Sequence, residues 1–126
     1  MATESDLRRL CLALPEVTGE GLDFGVKNKE KVRGIVWAFK IRPDPKKGRV
    51  PSTDRIAIRV ASLEEKEIIL ASDTEAFFTE PHYNGYPAVC VWLERISTSE
   101  LSELLTDAWR CLAPKALVKA FDSAVG

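Results

Sequence analysis

Apolar residues recur at helical spacing near the N-terminus, where Leu7, Leu10, Cys11 and Leu14 fall at i, i+3, i+4 and i+7. Thr3 and Asp6 ahead of them resemble a capping box with Asp in place of Glu, and Pro15 stops the pattern, so a helix is expected. Thr18-Gly19-Glu20-Gly21 reads as a turn, and Asp23–Val26 as a short strand leading into the basic stretch 27–33. From Gly34 to Arg42 the period becomes two. Ile35, Trp37, Phe39 and Ile41 share one face, with Gly34, Val36, Ala38, Lys40 and Arg42 on the other. The run Arg55–Val60 alternates likewise, with Ile56, Ile58 and Val60 opposite Arg55, Ala57 and Arg59. Three prolines and a glycine between Pro43 and Thr53 exclude regular structure there and predict a long exposed hairpin connection.

Ser62-Leu63-Glu64-Glu65 is a second capping box, opening a helix to about Leu70. Phe77-Phe78 starts an extended piece that ends in the turn-rich segment Pro81–Pro87, and Ala88–Glu94 is a further strand. Ser97 and Glu100 open the clearest helix, with the stripe Leu101, Leu104, Leu105, Ala108, Trp109 and Leu112. Pro114 separates it from a short last helix carrying Leu117, Val118 and Phe121. The order α-β-β-β-α-β-β-α-α predicts a single α+β domain over residues 1–126, with a mainly antiparallel five-stranded sheet and helices packed on one face. If Ile35, Trp37, Phe39 and Ile41 line the core with Ile56, Ile58 and Val60, the opposite face carries Lys40, Arg42, Arg55 and Arg59. Gly34, Ala38, Ala57 and Ala88 lie between those charges and Trp92 beside them, making a flat positive surface.

Composition narrows the class. The chain has 126 residues, 45% hydrophobic and 29% charged, as an ordinary globular domain does. Its longest apolar run, Ala88–Leu93, falls far short of the roughly 20 residues a spanning helix needs. The N-terminal residues lack a signal-like apolar stretch, and Cys11, Cys90 and Cys111 are dispersed, so a cytoplasmic protein without a disulfide framework is expected. The net charge of −1 conceals an asymmetry. Between Lys27 and Arg59 lie eleven basic and three acidic residues, a charge of +8, which leaves −9 elsewhere. The plain reading is a well-solvated surface; the sharper one is a site for a polyanion, because distant charge is screened beyond about 8–10 Å at physiological salt.

The run from Phe77 to Val89, with its core Pro81-His82-Tyr83-Asn84-Gly85-Tyr86-Pro87, resembles the MmcQ/YjbR family, as do Val91-Trp92-Leu93, Glu103–Arg110, Ala113-Pro114-Lys115 and Phe121-Asp122. Leu12–Thr18 and the Phe24 to Lys29 stretch are similar as well. The likeness is looser between Asp23 and Ser52, where Asn28-Lys29-Glu30-Lys31 replaces the family's Gly-Lys turn. The resemblance implies a YjbR-like α+β fold related to a double-wing DNA-binding module, and no catalytic motif. Fold analogy alone does not fix function.

On the nucleic-acid reading, the partner is double-stranded DNA held by its phosphates. Lys40, Arg42, Arg55 and Arg59 would act on the sheet face, Lys46, Lys47 and Arg49 as a wing, and Lys27, Lys29, Lys31 and Arg33 as a second basic edge. Trp92, if exposed, could stack on a base, although a strand Trp is more often core. An enzyme is not expected. His82 is the single histidine, no ligand spacing for a metal exists, and no Gly-rich loop for a nucleotide cofactor is present. The alternative is a protein- or small-ligand-binding module, using the Tyr83–Pro87 turn, Trp92 and the basic face to receive an acidic protein partner. A monomer or weak dimer is expected in either case.

Overall fold

The structure is a computed structural model and describes residues 1–72 and 75–125. In chain order the elements are α1 (Glu4–Leu12), β1 (Val17–Glu20), β2 (Asp23–Asn28), β3 (Lys31–Ile41), β4 (Val50–Arg59), α2 (Leu63–Ser72), β5 (Phe77–Phe78), β6 (Ala88–Trp92), α3 (Thr98–Leu112) and α4 (Lys115–Val125), with 3₁₀ turns at Pro81–Tyr83 and Leu93–Arg95. The strands form one antiparallel sheet in the order β1-β2-β3-β4-β6-β5. The α+β architecture is as the sequence predicts.

The sheet has six strands rather than five. The segment read as a turn at Thr18–Gly21 supplies most of β1, and the reversal sits one step later, since Glu20 pairs with Asp23 across Gly21-Leu22. Gly21 adopts a left-handed φ of 61°, which glycine reaches without steric cost. Gly19 is needed for another reason: a Cβ there would lie 2.1 Å from the carbonyl oxygen of Asp23. A glycine-rich tetrapeptide can thus be strand wherever a neighbouring backbone comes that close. The basic stretch 27–33 is also a hairpin, closed where Asn28 pairs with Lys31 across Lys29-Glu30.

A bulge at Ile35 resets the faces of β3, and a second register shift follows between Ala38 and Lys40. Phe24 pairs with Val36 while Gly25 pairs with Gly34, so Ile35 has no partner across the ladder. Ile35 and Val36 are both fully buried in the main core. Asp23 supports the irregularity, because its Oδ1 accepts the backbone N–H of Ala38 at 2.9 Å. Beyond the bulge, Val36 pairs with Ile58 and Ala38 with Ile56, and these residues face the helices. Trp37 and Phe39 therefore lie on the opposite face, with Ala57 and Arg55. The expected grouping of Trp37, Phe39 and Ile41 with Ile56, Ile58 and Val60 is overturned. Alternation could not decide the matter, because Val36 and Ala38 are apolar too and both faces of mid-sheet are covered.

The main core packs α1, α2 and α3 against the sheet, and α4 adds Leu117, Val118 and Phe121 to it. Trp109 is fully buried, donates Nε1–H to the carbonyl of Pro15 at 2.9 Å, and meets Phe121 with ring centroids 4.9 Å apart. The reciprocal Thr3–Asp6 bonds form the capping box of α1 as expected. A smaller cluster covers the second face: Phe39, Ala57, Tyr83, Ala88 and Cys90 are buried, with Trp37, Ile41 and Phe78 against them. Among the described residues no helix is long and apolar enough to cross a membrane.

Candidate nucleic-acid interface

Nine of the eleven cations between Lys27 and Arg59 form two groups at opposite ends of β3, not one platform. β3 runs from Lys31 to Ile41, ten steps of about 3.3 Å, which puts its ends roughly 33 Å apart.

At one end, Lys27, Lys29, Lys31 and Arg33 are all exposed on the β2–β3 hairpin. Strand pairing places Lys27 and Val32 on the second face, and Lys31 and Arg33 on the helical face. The hairpin is fixed to the helical layer by Asn28, whose Nδ2 donates to the carbonyl of Leu112 at the end of α3, 2.8 Å away. A concavity of about 650 Å³ lined by Asn28, Lys29, Glu30, Lys31 and Arg33 adjoins another of about 720 Å³ that shares Asn28 and Lys29 and reaches Arg110 and Lys115. Arg110 and Lys115 come from the acidic part of the chain, and only the tertiary fold brings them to this edge. Lys29 holds a left-handed φ of 61°, a conformation that costs a non-glycine residue about 1–2 kcal/mol.

At the other end, Lys40, Arg42, Lys46, Lys47 and Arg49 are exposed. The connection is shorter than expected, since Ile41 pairs with Val50 and Lys40 with Pro51. Asp44 turns the loop, its Oδ1 and backbone oxygen accepting the N–H groups of Lys46 and Lys47 at 3.0 Å each. Arg49 bridges to the carbonyl of Lys40 and to Glu80, both at 3.4 Å.

Arg55, Arg59 and Trp92 do not take the expected positions. Arg55 does stand on the second face, but it is half-buried, with Nε 3.1 Å from Asp54 and its guanidinium 4.6 Å from the Trp92 ring centroid and 5.6 Å from that of Phe39. Arg95 lies 4.8 Å from the same indole, so guanidinium groups occupy the surface of Trp92 that a base would need. Arg59, half-buried, lines a cleft with Glu65, Ile69, Leu104 and Asp107 of α2 and α3. The face expected to be flat and charged is built instead from aromatic rings beneath the loop after β5.

Lys66 holds that loop down. It is 5% exposed, and its Nζ donates to the carbonyl oxygens of Tyr83 and Tyr86. Burial keeps its pKa below the usual lysine value. The signal in the sequence was its spacing, for Lys66, Ile69 and Leu70 fall at i, i+3 and i+4, and the last two pack on the core. Tyr83 in turn accepts the indole N–H of Trp37 at its hydroxyl, 3.1 Å away, and His82 meets Tyr83 edge-on with centroids 5.4 Å apart. Together with Lys40 and Arg49 these rings line a cavity of about 200 Å³. Burial pushes the thiols of Cys11 and Cys90 up to about 12, so both stay protonated at neutral pH.

This fold and charge distribution define a small α+β protein with one antiparallel sheet, an aromatic second face and a cationic end on either side of it. The chain belongs to a family that includes the protein Rv2570 of Mycobacterium tuberculosis strain H37Rv, to which it is 35% identical over 127 residues, 96% of each chain. It is equally similar to MT2646 of M. tuberculosis strain CDC 1551 and to Mb2600 of Mycobacterium bovis, and all three relatives are described as uncharacterised. The crystal structure of Deinococcus radiodurans protein DR2400, with a DUF419 domain, superposes with a TM-score of 0.59 at 25% identity over 86% of this chain and 77% of that one. No family model matches the sequence.

Proposed function

We propose that the protein binds nucleic acid through the phosphate backbone and acts by binding rather than by catalysis. One observation carries this reading. Nine cations, Lys27, Lys29, Lys31, Arg33, Lys40, Arg42, Lys46, Lys47 and Arg49, are exposed at the two ends of β3, and among the described residues only Arg49 makes an ion pair. Free cations of this density suit a regular polyanion, which gives up condensed counterions on binding. The MmcQ/YjbR resemblance, with its double-wing analogy, supports the same reading. The two hairpin ends take the part of the wings, and Arg55, Arg59 and Trp92 drop out of the contact set.

An acidic protein partner would use the same charges, but the turn that the sequence offered to it has work within the fold. Tyr83 is buried and its loop is bound by Lys66. The non-catalytic part of the proposal is supported by the protonated state of Cys11 and Cys90 and by the packing of His82 on Tyr83.

The test is a fluorescence-anisotropy titration of labelled 20-mers, duplex and single-stranded, at several salt concentrations. Each phosphate contact adds about −0.9 to the log–log salt slope on duplex and about −0.7 on a single strand. A slope of roughly −3 or steeper is expected; a slope near zero with both probes overturns the proposal.

A further inference from the structure

The cavity between β3 and the 3₁₀ turn at Pro81–Tyr83 has a composition of its own. Its lining is three rings, Trp37, His82 and Tyr83, and two cations, Lys40 and Arg49. At about 200 Å³ it is smaller than the roughly 300 Å³ at which drug-sized ligand pockets begin, so it suits one planar ring system and not a whole nucleotide cofactor. The rings are set in advance of any ligand. The Trp37 indole N–H is committed to the Tyr83 hydroxyl, Tyr86 stands edge-on to Trp37 at 6.3 Å, and Lys66 fixes the carbonyls of the loop. With the indole donor already used, the site presents ring surface beside the cationic groups of Lys40 and Arg49, and ring surface recognises a π-face rather than a hydrogen-bonding edge.

The surroundings identify the ring. Lys40 and Arg49 line the cavity itself, and Arg42, Lys46 and Lys47 stand on the strand end and loop joining them. An aromatic slot beside a row of exposed cations matches a nucleobase joined to a phosphate chain. In a duplex the base faces are stacked on one another, so only an unpaired base can enter.

We infer that this cavity takes one unpaired base of a single-stranded nucleic acid, while Arg42, Lys46 and Lys47 hold the neighbouring phosphates. The inference rests on the phosphate-binding reading and names the form of nucleic acid preferred. Because stacking tolerates any base, binding should depend little on sequence.

The experiment compares labelled dT12, rU12, a 12-base-pair duplex and a 12-mer of abasic sugar-phosphate, by anisotropy and by tryptophan emission. Either single strand should bind about tenfold more tightly than the duplex and quench the emission, and the abasic chain should lose that advantage. The dT12 and rU12 arms show whether the strand is DNA, RNA or either. His82→Ala, at an exposed position, should lower affinity for the preferred single strand several-fold and leave that for the duplex unchanged. Equal binding of all four polymers with no quenching would overturn the base-binding cavity and leave the phosphate reading standing. Binding of none would overturn both.

Discussion

Lys66 and Tyr83, seventeen residues apart, are joined by a buried hydrogen bond from the lysine ammonium to the tyrosine carbonyl. The same ammonium reaches the carbonyl of Tyr86 at 3.0 Å, so one side chain of α2 fixes both ends of the aromatic turn. Replacing Lys66 by Met keeps the volume and removes one of two donors from each carbonyl, since Tyr83 O also accepts the N–H of Tyr86 and Tyr86 O that of Ala88. A hydrogen bond from a charged donor contributes roughly 1.5–3 kcal/mol, less where the loop can open to water. Lys66→Met should therefore lose about 2 kcal/mol in chemical denaturation and speed amide exchange over residues 82–87. Unchanged exchange there would show that the turn holds itself.

Alkaline pH should destabilise the fold. The folded-state pKa of Cys11 is raised from 9.0 to about 12, so its contribution is fully present below pH 9 and is lost as pH rises towards 12. Each such thiol removes about 1.4 kcal/mol per pH unit in that window. Cys90 behaves alike, and Lys66, with its pKa lowered, opposes them in the interval below 10.5. The clean comparison is Cys11→Ala. Its unfolding free energy should fall less steeply than that of the parent, by about 1.4 kcal/mol per unit between pH 9 and 11.

Asp23 carries the bulge, so its removal should be felt at Ala38. Asp23→Ala leaves the Ala38 N–H without its acceptor and should cost about 1–2 kcal/mol; Asp23→Asn, which keeps an acceptor oxygen, should recover most of it. Equal losses in the two variants would show that the hydrogen bond is not the cause.

Charge reversal should separate the two ends of β3. Lys46, Lys47 and Arg49 changed to Glu, or Lys29, Lys31 and Arg33 changed to Glu, should each weaken nucleic-acid binding at least tenfold and flatten the salt slope. Arg59→Glu, placed among the α2 and α3 side chains, should leave binding nearly intact. A loss confined to one triple variant would reduce the interface to that end.

Lys29 offers a trade between stability and binding. Lys29→Gly relieves the left-handed backbone and should add about 0.5–1 kcal/mol of stability while it weakens binding. Thermal melting and anisotropy on the same sample would show both signs.

The fold was legible where one physical signal acted alone. Capping residues marked α1 at Thr3 and α3 at Ser97, and prolines marked the connection after β3. It was misread where two signals were compatible with the same residues. Gly19 and Gly21 resemble a turn, yet Gly19 is in a strand because the neighbouring backbone leaves no room for a Cβ. In β3 both faces are apolar, and the side on which Trp37 lies depends on the unpaired Ile35, a property of β2 and β3 together. The charge clustering was visible in the sequence, but its division between two ends was not. Lys115 and Arg110 join the first end only through the turn between α3 and α4, and the ring-lined cavity needs Trp37 and Tyr83 to meet across forty-six residues.

The length of β3 acts as a ruler. One cationic end is tied to α3 through Asn28 and the other continues the same strand, so the distance between them is a count of residues, not a matter of loop motion. Where the pairing is regular, lengthening or shortening the strand by one residue would turn every side chain beyond the change to the wrong side, unless a bulge like that at Ile35 absorbed it. Without such a bulge the gauge is adjustable in steps of two residues, close to 7 Å.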